Sequence, residues 1–224
     1  MNDDHTPHSL GGDELSLELP GLTLAARAWG PPDAPKVLAL HGWLDNAGSF
    51  ARLAPLLPEI RLVALDMAGH GRSGWRHASA SYDFINWLPD VMGALDALGW
   101  QRCALLGHSL GAAVAVCFAG ALRDRVTRLA LVDGMGPLSS PPEEAPERLE
   151  KTLRRQQRAA KLRPPAYPDH GAMAERLCLA IDGLDGPAAK TLLVRGSRPV
   201  SAEESAPELT WSHDPRLRGS SLLR

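Results

Sequence analysis

Cys103-Ala-Leu-Leu-Gly-His-Ser-Leu-Gly111 runs straight into Ala112-Ala-Val-Ala-Val-Cys-Phe118, so one apolar run ends in Gly107-His-Ser109-Leu-Gly111 and a second begins at once. This is a G-x-S-x-G nucleophile elbow between a strand and a helix. Glycines on both sides let the backbone turn sharply without Cβ clashes. The Ser109 Oγ is thereby expected to project from the end of a sheet strand, and the Leu110 N–H to open the following helix. A serine so placed suits covalent catalysis. Residues 103–122 are nearly all apolar and long enough to imitate a membrane span. Two glycines, a histidine and a serine near the middle instead mark a buried core segment.

On the N-terminal side, Lys36-Val-Leu-Ala-Leu40 and Arg61-Leu-Val-Ala-Leu65 are short continuous apolar runs. Residues 50–57 lie between them with helical spacing, and residues 82–98 read as a longer helix. Alternation of strand and helix predicts a parallel sheet covered on both faces, continued by a strand at 103–106, a helix at 110–122 and a strand at 129–133. Ahead of it, residues 15–19 and 22–28 alternate around Pro20-Gly21, which predicts an antiparallel hairpin at the sheet edge. After Asp133 the character changes. Gly134-Met-Gly-Pro-Leu-Ser-Ser-Pro-Pro142 is a loop by its glycine and proline content, and the chain beyond it is charged and helical. Arg148, Lys151, Arg155 and Arg158 share one face of a helix near 147–161, most simply a solvated face, while Leu149, Leu153 and Ala160 share another.

The 224 residues, 44% of them hydrophobic, suffice for one sizeable α/β domain with an insertion. Lys and Arg number 24 against 26 Asp and Glu, a near balance that gives no reason to expect nucleic acid or a membrane as partner. The polar, acidic start Met1-Asn-Asp-Asp lacks the basic start and apolar centre of a secretory signal. Cys103, Cys117 and Cys178 sit in apolar patterns without C-x-x-C spacing, so reduced core cysteines in a cytoplasmic protein are expected.

His41-Gly-Trp-Leu-Asp-Asn46 follows the first parallel strand. A serine nucleophile generates a tetrahedral oxyanion that needs preorganised N–H donors, and the amides of Trp43 and Leu110 are assigned to it. His41 is read as shaping this loop rather than as a base. Gly69-His-Gly71-Arg-Ser-Gly74 formally contains G-x-G-x-x-G. Three residues separate it from the strand and a loop follows it, which argues against a dinucleotide site. No Walker A loop, H-E-x-x-H or paired Cys/His spacing occurs, so no metal is implied.

Together His41-Gly-Trp-Leu-Asp-Asn46 with Phe50, Asp66-x-x-Gly-His-Gly-Arg-Ser73, Gly107-His-Ser-Leu-Gly111 and Val132-Asp-Gly134 resemble the α/β-hydrolase superfamily. The H-G-W-L-D-N stretch is similar to its serine hydrolase-like proteins. Leu193-Val-Arg-Gly196 and Trp211-Ser-His-Asp-Pro-Arg-Leu217 resemble cap segments of that subgroup. The resemblance implies an α/β-hydrolase fold, with a mostly parallel sheet and a helical cap: a core over residues 14–140 and a cap segment over 141–224. It also implies hydrolysis of an ester, thioester or amide-like bond of a small molecule, with Ser109 as nucleophile and no cofactor. Serine rather than aspartate at the elbow argues against haloalkane dehalogenase and epoxide hydrolase chemistry.

The triad order Ser, acid, His leaves only His170 and His213 as histidines after Ser109. One reading takes Lys190-Thr-Leu-Leu-Val-Arg-Gly196 as a seventh strand, Glu203 or Glu204 as acid, and residues 209–211 with His213 as last strand and base. The other takes 186–195 as a cap helix and 211–217 as a cap loop. The chain then ends inside the cap, without the last two strands of the fold, and Asp133 at the end of the sixth strand is the remaining acid candidate. A catalytically incomplete fragment, or a binding module that keeps the cleft without turnover, is the alternative to an active serine hydrolase. Without a covering strand, the strand ending at Asp133 would expose an apolar edge open to self-association.

Overall fold

The structure is a computed structural model that describes residues 11–137, 139–159, 161–201 and 208–219. Strands β1 (Asp13–Leu19), β2 (Leu22–Trp29), β3 (Lys36–Leu40), β4 (Arg61–Leu65), β5 (Cys103–His108) and β6 (Val126–Val132) form one sheet in the order β1-β2-β4-β3-β5-β6. β1 and β2 are the antiparallel hairpin predicted around Pro20-Gly21, and β1 is an edge. β2 meets β4 antiparallel, while β3 pairs in parallel with both β4 and β5, and β5 with β6.

The pleat divides the central strands between two cores. Leu38, Leu40, Val63, Leu65 and Leu105 face helices α1 (Trp87–Ala97) and α2 (Leu110–Ala121), where Trp87, Val114 and Phe118 are buried. Ala39, Leu62, Ala64 and Leu106 face the other way, onto Phe50, Ala51 and Ala54. Side chains on both faces explain why these strands read as continuous apolar runs.

Beyond β6 come α3 (Ala145–Ala159), α4 (His170–Ala180), α5 (Gly186–Gly196) and a ribbon of two short strands, β7 (Ser197–Pro199) and β8 (Leu209–Trp211). Met173, Ala174, Ala189 and Leu193 make the core of the α4–α5 pair, with Tyr167 and Trp211 packed on it. A turn at Pro215–Gly219 returns to the main core through the fully buried Leu217.

Two expectations need correction, and one open choice is decided. Residues 50–57 form no α-helix but part of two 3₁₀ turns, Ala47–Phe50 and Ala54–Leu56. Pro55 and Pro58 lack N–H groups, and their rings exclude the carbonyls that a continuing helix would place there. The helix at 82–98 starts only at Trp87, after a 3₁₀ turn at Phe84–Asn86. Pro89 confines the α-helix to within a turn of itself. Residues 190–196 are no seventh strand. They are helical, because the Asp185 side chain accepts from Ala188 N at 2.7 Å and Pro187 occupies the first turn. β8 pairs with β7 in the separate ribbon, so His213 does not follow a strand of the main sheet. Glu203 and Glu204 lie outside the described residues.

Candidate active site

Ser109 joins β5 to α2 with φ 49° and ψ −110°, a left-handed backbone that non-glycine residues rarely adopt. A Cβ on Gly107 would lie 2.5 Å from Ala112 Cα, and one on Gly111 only 2.1 Å from Leu40 O. Only glycine fits at either place, so the two motif glycines bring helix, strand and turn into contact. Ser109 N donates to Val132 O at 2.9 Å, and Gly111 N to His41 O at 3.1 Å, which fastens the elbow to β6 and to the end of β3. Ser109 itself is exposed, and its hydroxyl makes no hydrogen bond to any described residue.

The loop after β3 stands directly opposite. A Cβ on Gly42 would lie 3.6 Å from Ser109 Cβ. His41 shapes this loop as expected. Its Nδ1 donates to Gly42 O at 2.7 Å, so Nε2 accepts from Met67 N at 3.0 Å. Complete burial lowers its pKa and keeps the ring neutral. Asp45 N donates to Gly42 O, and Ala112 N and Ala113 N to Ser109 O. Trp43 N and Leu110 N have no acceptor among the described residues. These are the two amides assigned from the sequence to an oxyanion.

Asp66 holds the loop from below. Its Oδ1 accepts from Ala47 N at 2.6 Å and its Oδ2 from Arg72 N at 2.8 Å. Arg195 of α5, 1% exposed, donates to the same Oδ2 from Nη2 at 2.7 Å and Nε at 3.0 Å, and reaches Glu14 at 2.6 Å. Asn46 Nδ2 adds a bond to Leu192 O of α5 at 3.1 Å. Helix α5 therefore clamps the loop that carries Trp43. Sequence reasoning missed Arg195. Its one signal was a lone arginine among apolar helix residues, and the partner lies 129 positions away.

A second clamp ties the segment after β8 to the loop before α1. Asp214, 1% exposed, accepts from Tyr82 OH at 2.8 Å and from Arg216 Nη2 at 2.6 Å. Asp214 N donates to Gly69 O at 2.8 Å. Arg216 goes on to the carbonyls of His77, Ala78 and Ala80.

The cleft over Ser109 has a volume of about 1140 Å³ and is lined by Trp43, Leu110, Asp133 and His213 among others. Asp133, at φ 51°, is exposed at the end of β6. A Cβ on the next residue, Gly134, would lie 3.1 Å from Ser109 O. His213 lies in the cleft wall with its ring stacked near Trp211, 6.2 Å between centroids. Burial, with the nearby Arg218 charge, lowers its pKa to about 4. No hydrogen bond joins it to Ser109 or to any described residue. His170 is outside the cleft, its Nε2 2.9 Å from Ser197 Oγ. Cys103 is buried with its thiol pushed up to about 11, which suits a core residue and not a nucleophile.

A strained serine between a parallel strand and a helix, facing an amide-bearing loop, is matched by a family model for the alpha/beta hydrolase fold over residues 35–173. The chain belongs to the α/β-hydrolase family. Within it the sequence is 31% identical, over 95% of its length, to a serine hydrolase-like protein of Dictyostelium discoideum, of which it spans 60%. Among solved structures, this α/β hydrolase is 42% identical to a hypothetical protein of Pseudomonas aeruginosa PAO1, with a TM-score of 0.85 over 95% of this chain and 72% of that one. A thioesterase domain from the curacin biosynthetic pathway is 29% identical with a TM-score of 0.79, covering 95% of this chain and 76% of that one.

Proposed function

We propose that the chain carries the nucleophile and oxyanion site of a serine hydrolase acting on an ester, thioester or amide-like bond of a small molecule. The observation that carries this reading is Ser109 on its strained turn, exposed at a cleft with two unpaired N–H groups nearby. Such strain persists only where the surrounding structure imposes it, and it gathers at functional sites.

In the proposed reaction, Ser109 Oγ adds to the carbonyl carbon and the oxygen takes up charge between the Trp43 and Leu110 amides. Collapse breaks the bond to the leaving alcohol, thiol or amine, which receives the serine proton. Water then cleaves the acyl ester, releasing the acid and restoring the hydroxyl. Removing one oxyanion donor from such a site costs about 10²–10³ in kcat. The thioesterase likeness is consistent with an acyl substrate. No helix among the described residues is long and apolar enough to cross a membrane, and a cytoplasmic setting is proposed on the three free cysteines.

The proton acceptor decides how fast the chain works. His213 is neutral at pH 7, but no bond joins it to Ser109, and no histidine among the described residues bonds to Asp133. That favours a second reading, a binding module that keeps the cleft with little turnover. Loss of the base from a serine triad costs about 10⁶ in kcat, while oxyanion donors and binding alone retain roughly 10³–10⁴ over water. We therefore expect slow hydrolysis of p-nitrophenyl esters, together with a slow alkyl fluorophosphonate adduct found by mass spectrometry on Ser109 and absent in Ser109→Ala. No adduct after prolonged incubation would leave the binding module standing. Ordinary enzyme turnover that vanishes in Ser109→Ala would show that a base is in place.

A further inference from the structure

We propose that the cleft over Ser109 takes an acyl substrate whose far end carries an anion, a carboxylate or a phosphate, received by Arg163, Arg176 and Arg218. The inference rests on the serine hydrolase reading and names the substrate class of that same site.

The charges of the cleft are segregated. Asp45 and Asp133, the carboxylates in its lining, belong to the loop after β3 and to the end of β6, the two segments that flank the elbow. The three arginines come from separate segments after β6. Arg163 lies between α3 and α4, Arg176 on α4, and Arg218 in the turn at Pro215–Gly219. All three are exposed, and none pairs with a carboxylate among the described residues. Other arginines of the same region are matched, Arg195 by Asp66 and Glu14 and Arg216 by Asp214. Arg218 stands close enough to His213 for its charge to hold the imidazole pKa down, so its field reaches into the cleft.

Apolar surface completes the lining, with Leu162, Leu177, Ile181, Leu192 and Trp211. A ligand with a reactive carbonyl, a hydrocarbon middle and a terminal anion matches that set of surfaces. A neutral ligand of the same length leaves three guanidinium groups with water alone. Arginine suits the role, because its planar fork meets carboxylate and phosphate oxygens in pairs.

The test uses the Ser109→Ala chain, so that binding is read without turnover. Trp43 and Trp211 line the cleft, and their emission would be titrated with monomethyl suberate, octyl phosphate and neutral dimethyl suberate. At low salt we expect at least one anion to bind about tenfold or more tighter than the diester, a preference worth about 1.4 kcal/mol per tenfold. It should weaken as salt rises. It should also disappear in the triple variant Arg163→Gln, Arg176→Gln, Arg218→Gln and persist in Arg155→Gln, an exposed α3 arginine outside the cleft. The anion that binds tighter names the source: suberate monoester points to dicarboxylic half-esters, octyl phosphate to phosphorylated acyl compounds. No saturable binding of either anion, a diester as tight as both, or a preference kept by the triple variant or lost equally in Arg155→Gln overturns the proposal. Fluorophosphonate labelling of the wild-type chain reports separately on Ser109. An adduct without anion preference sinks only this inference, and anion preference without an adduct sinks only the hydrolase reading.

Discussion

Ser109 and Arg195 carry opposite kinds of constraint, and each can be measured alone. At φ 49° and ψ −110° the serine holds a conformation costing on the order of 1–3 kcal/mol. Glycine adopts it freely but adds conformational entropy to the unfolded chain, worth about 0.4–1 kcal/mol. Ser109→Gly should therefore raise stability by about 1 kcal/mol, seen as a higher urea midpoint at unchanged slope, whereas Ser109→Ala should gain nothing. An unchanged midpoint for glycine would mean that the turn is unstrained. Arg195 works in the other direction. Removing one partner of a buried ion pair typically costs about 3–5 kcal/mol, because the other charge is left uncompensated. Arg195→Met should lose that much, and pairing it with Asp66→Asn should recover part. A loss below about 1 kcal/mol would show that water satisfies Asp66.

At the scale of elements, legibility followed the range of the interaction. β3, β4 and β5 were readable because both faces are buried, and the elbow because its turn is encoded within five residues. Residues 50–57 have helical spacing, but Pro55 and Pro58 override it and leave only 3₁₀ turns. The choice between strand and helix at 190–196 stayed open because its deciding contacts, Arg195 to Asp66 and Asn46 to Leu192, span more than a hundred positions. The segment after β8 has the same character. It was recognisable as a motif, while the bonds of Asp214 to Tyr82 and Gly69 were invisible. That segment also gives a pH dependence. His213 titrates near 4 when folded and near 6.5 when unfolded, so between those values the unfolded chain binds more protons and stability falls with falling pH. The loss is on the order of 3 kcal/mol, complete below pH 4. His41 and His70, both lowered by burial, act in the same sense. Asp90, pushed up to about 6 by burial, acts against it, so the measurement must be a difference. His213→Gln should flatten the stability profile between pH 6.5 and 4 relative to wild type, by chemical denaturation at each pH. Parallel profiles would contradict a buried neutral imidazole.

For the whole molecule the two edges of the sheet differ. β1 exposes Asp13, Glu14, Ser16 and Glu18, a charged edge of the kind that discourages pairing. β6 has the sequence VTRLALV, is paired on one side by β5, and exposes Leu129, Leu131 and Val132 at 37–52%. Its other side has no partner among the described residues. We propose that this edge pairs with a second copy of the chain. An antiparallel pairing centred on Leu129 would set Arg128 opposite Ala130, Thr127 opposite Leu131 and Val126 opposite Val132, so the one charge in the strand never faces its own copy. That arrangement makes hydrogen bonds on both sides of β6 and leaves the two Arg128 side chains diagonal to each other, not directly opposed. Sedimentation should then show self-association that grows with concentration, reduced by Leu129→Lys together with Leu131→Lys. These substitutions place like charges across the edge without entering the core, and the far-ultraviolet spectrum should stay the same. A wild-type chain that remains monomeric at every concentration, with one cooperative melt, would refute this use of the edge.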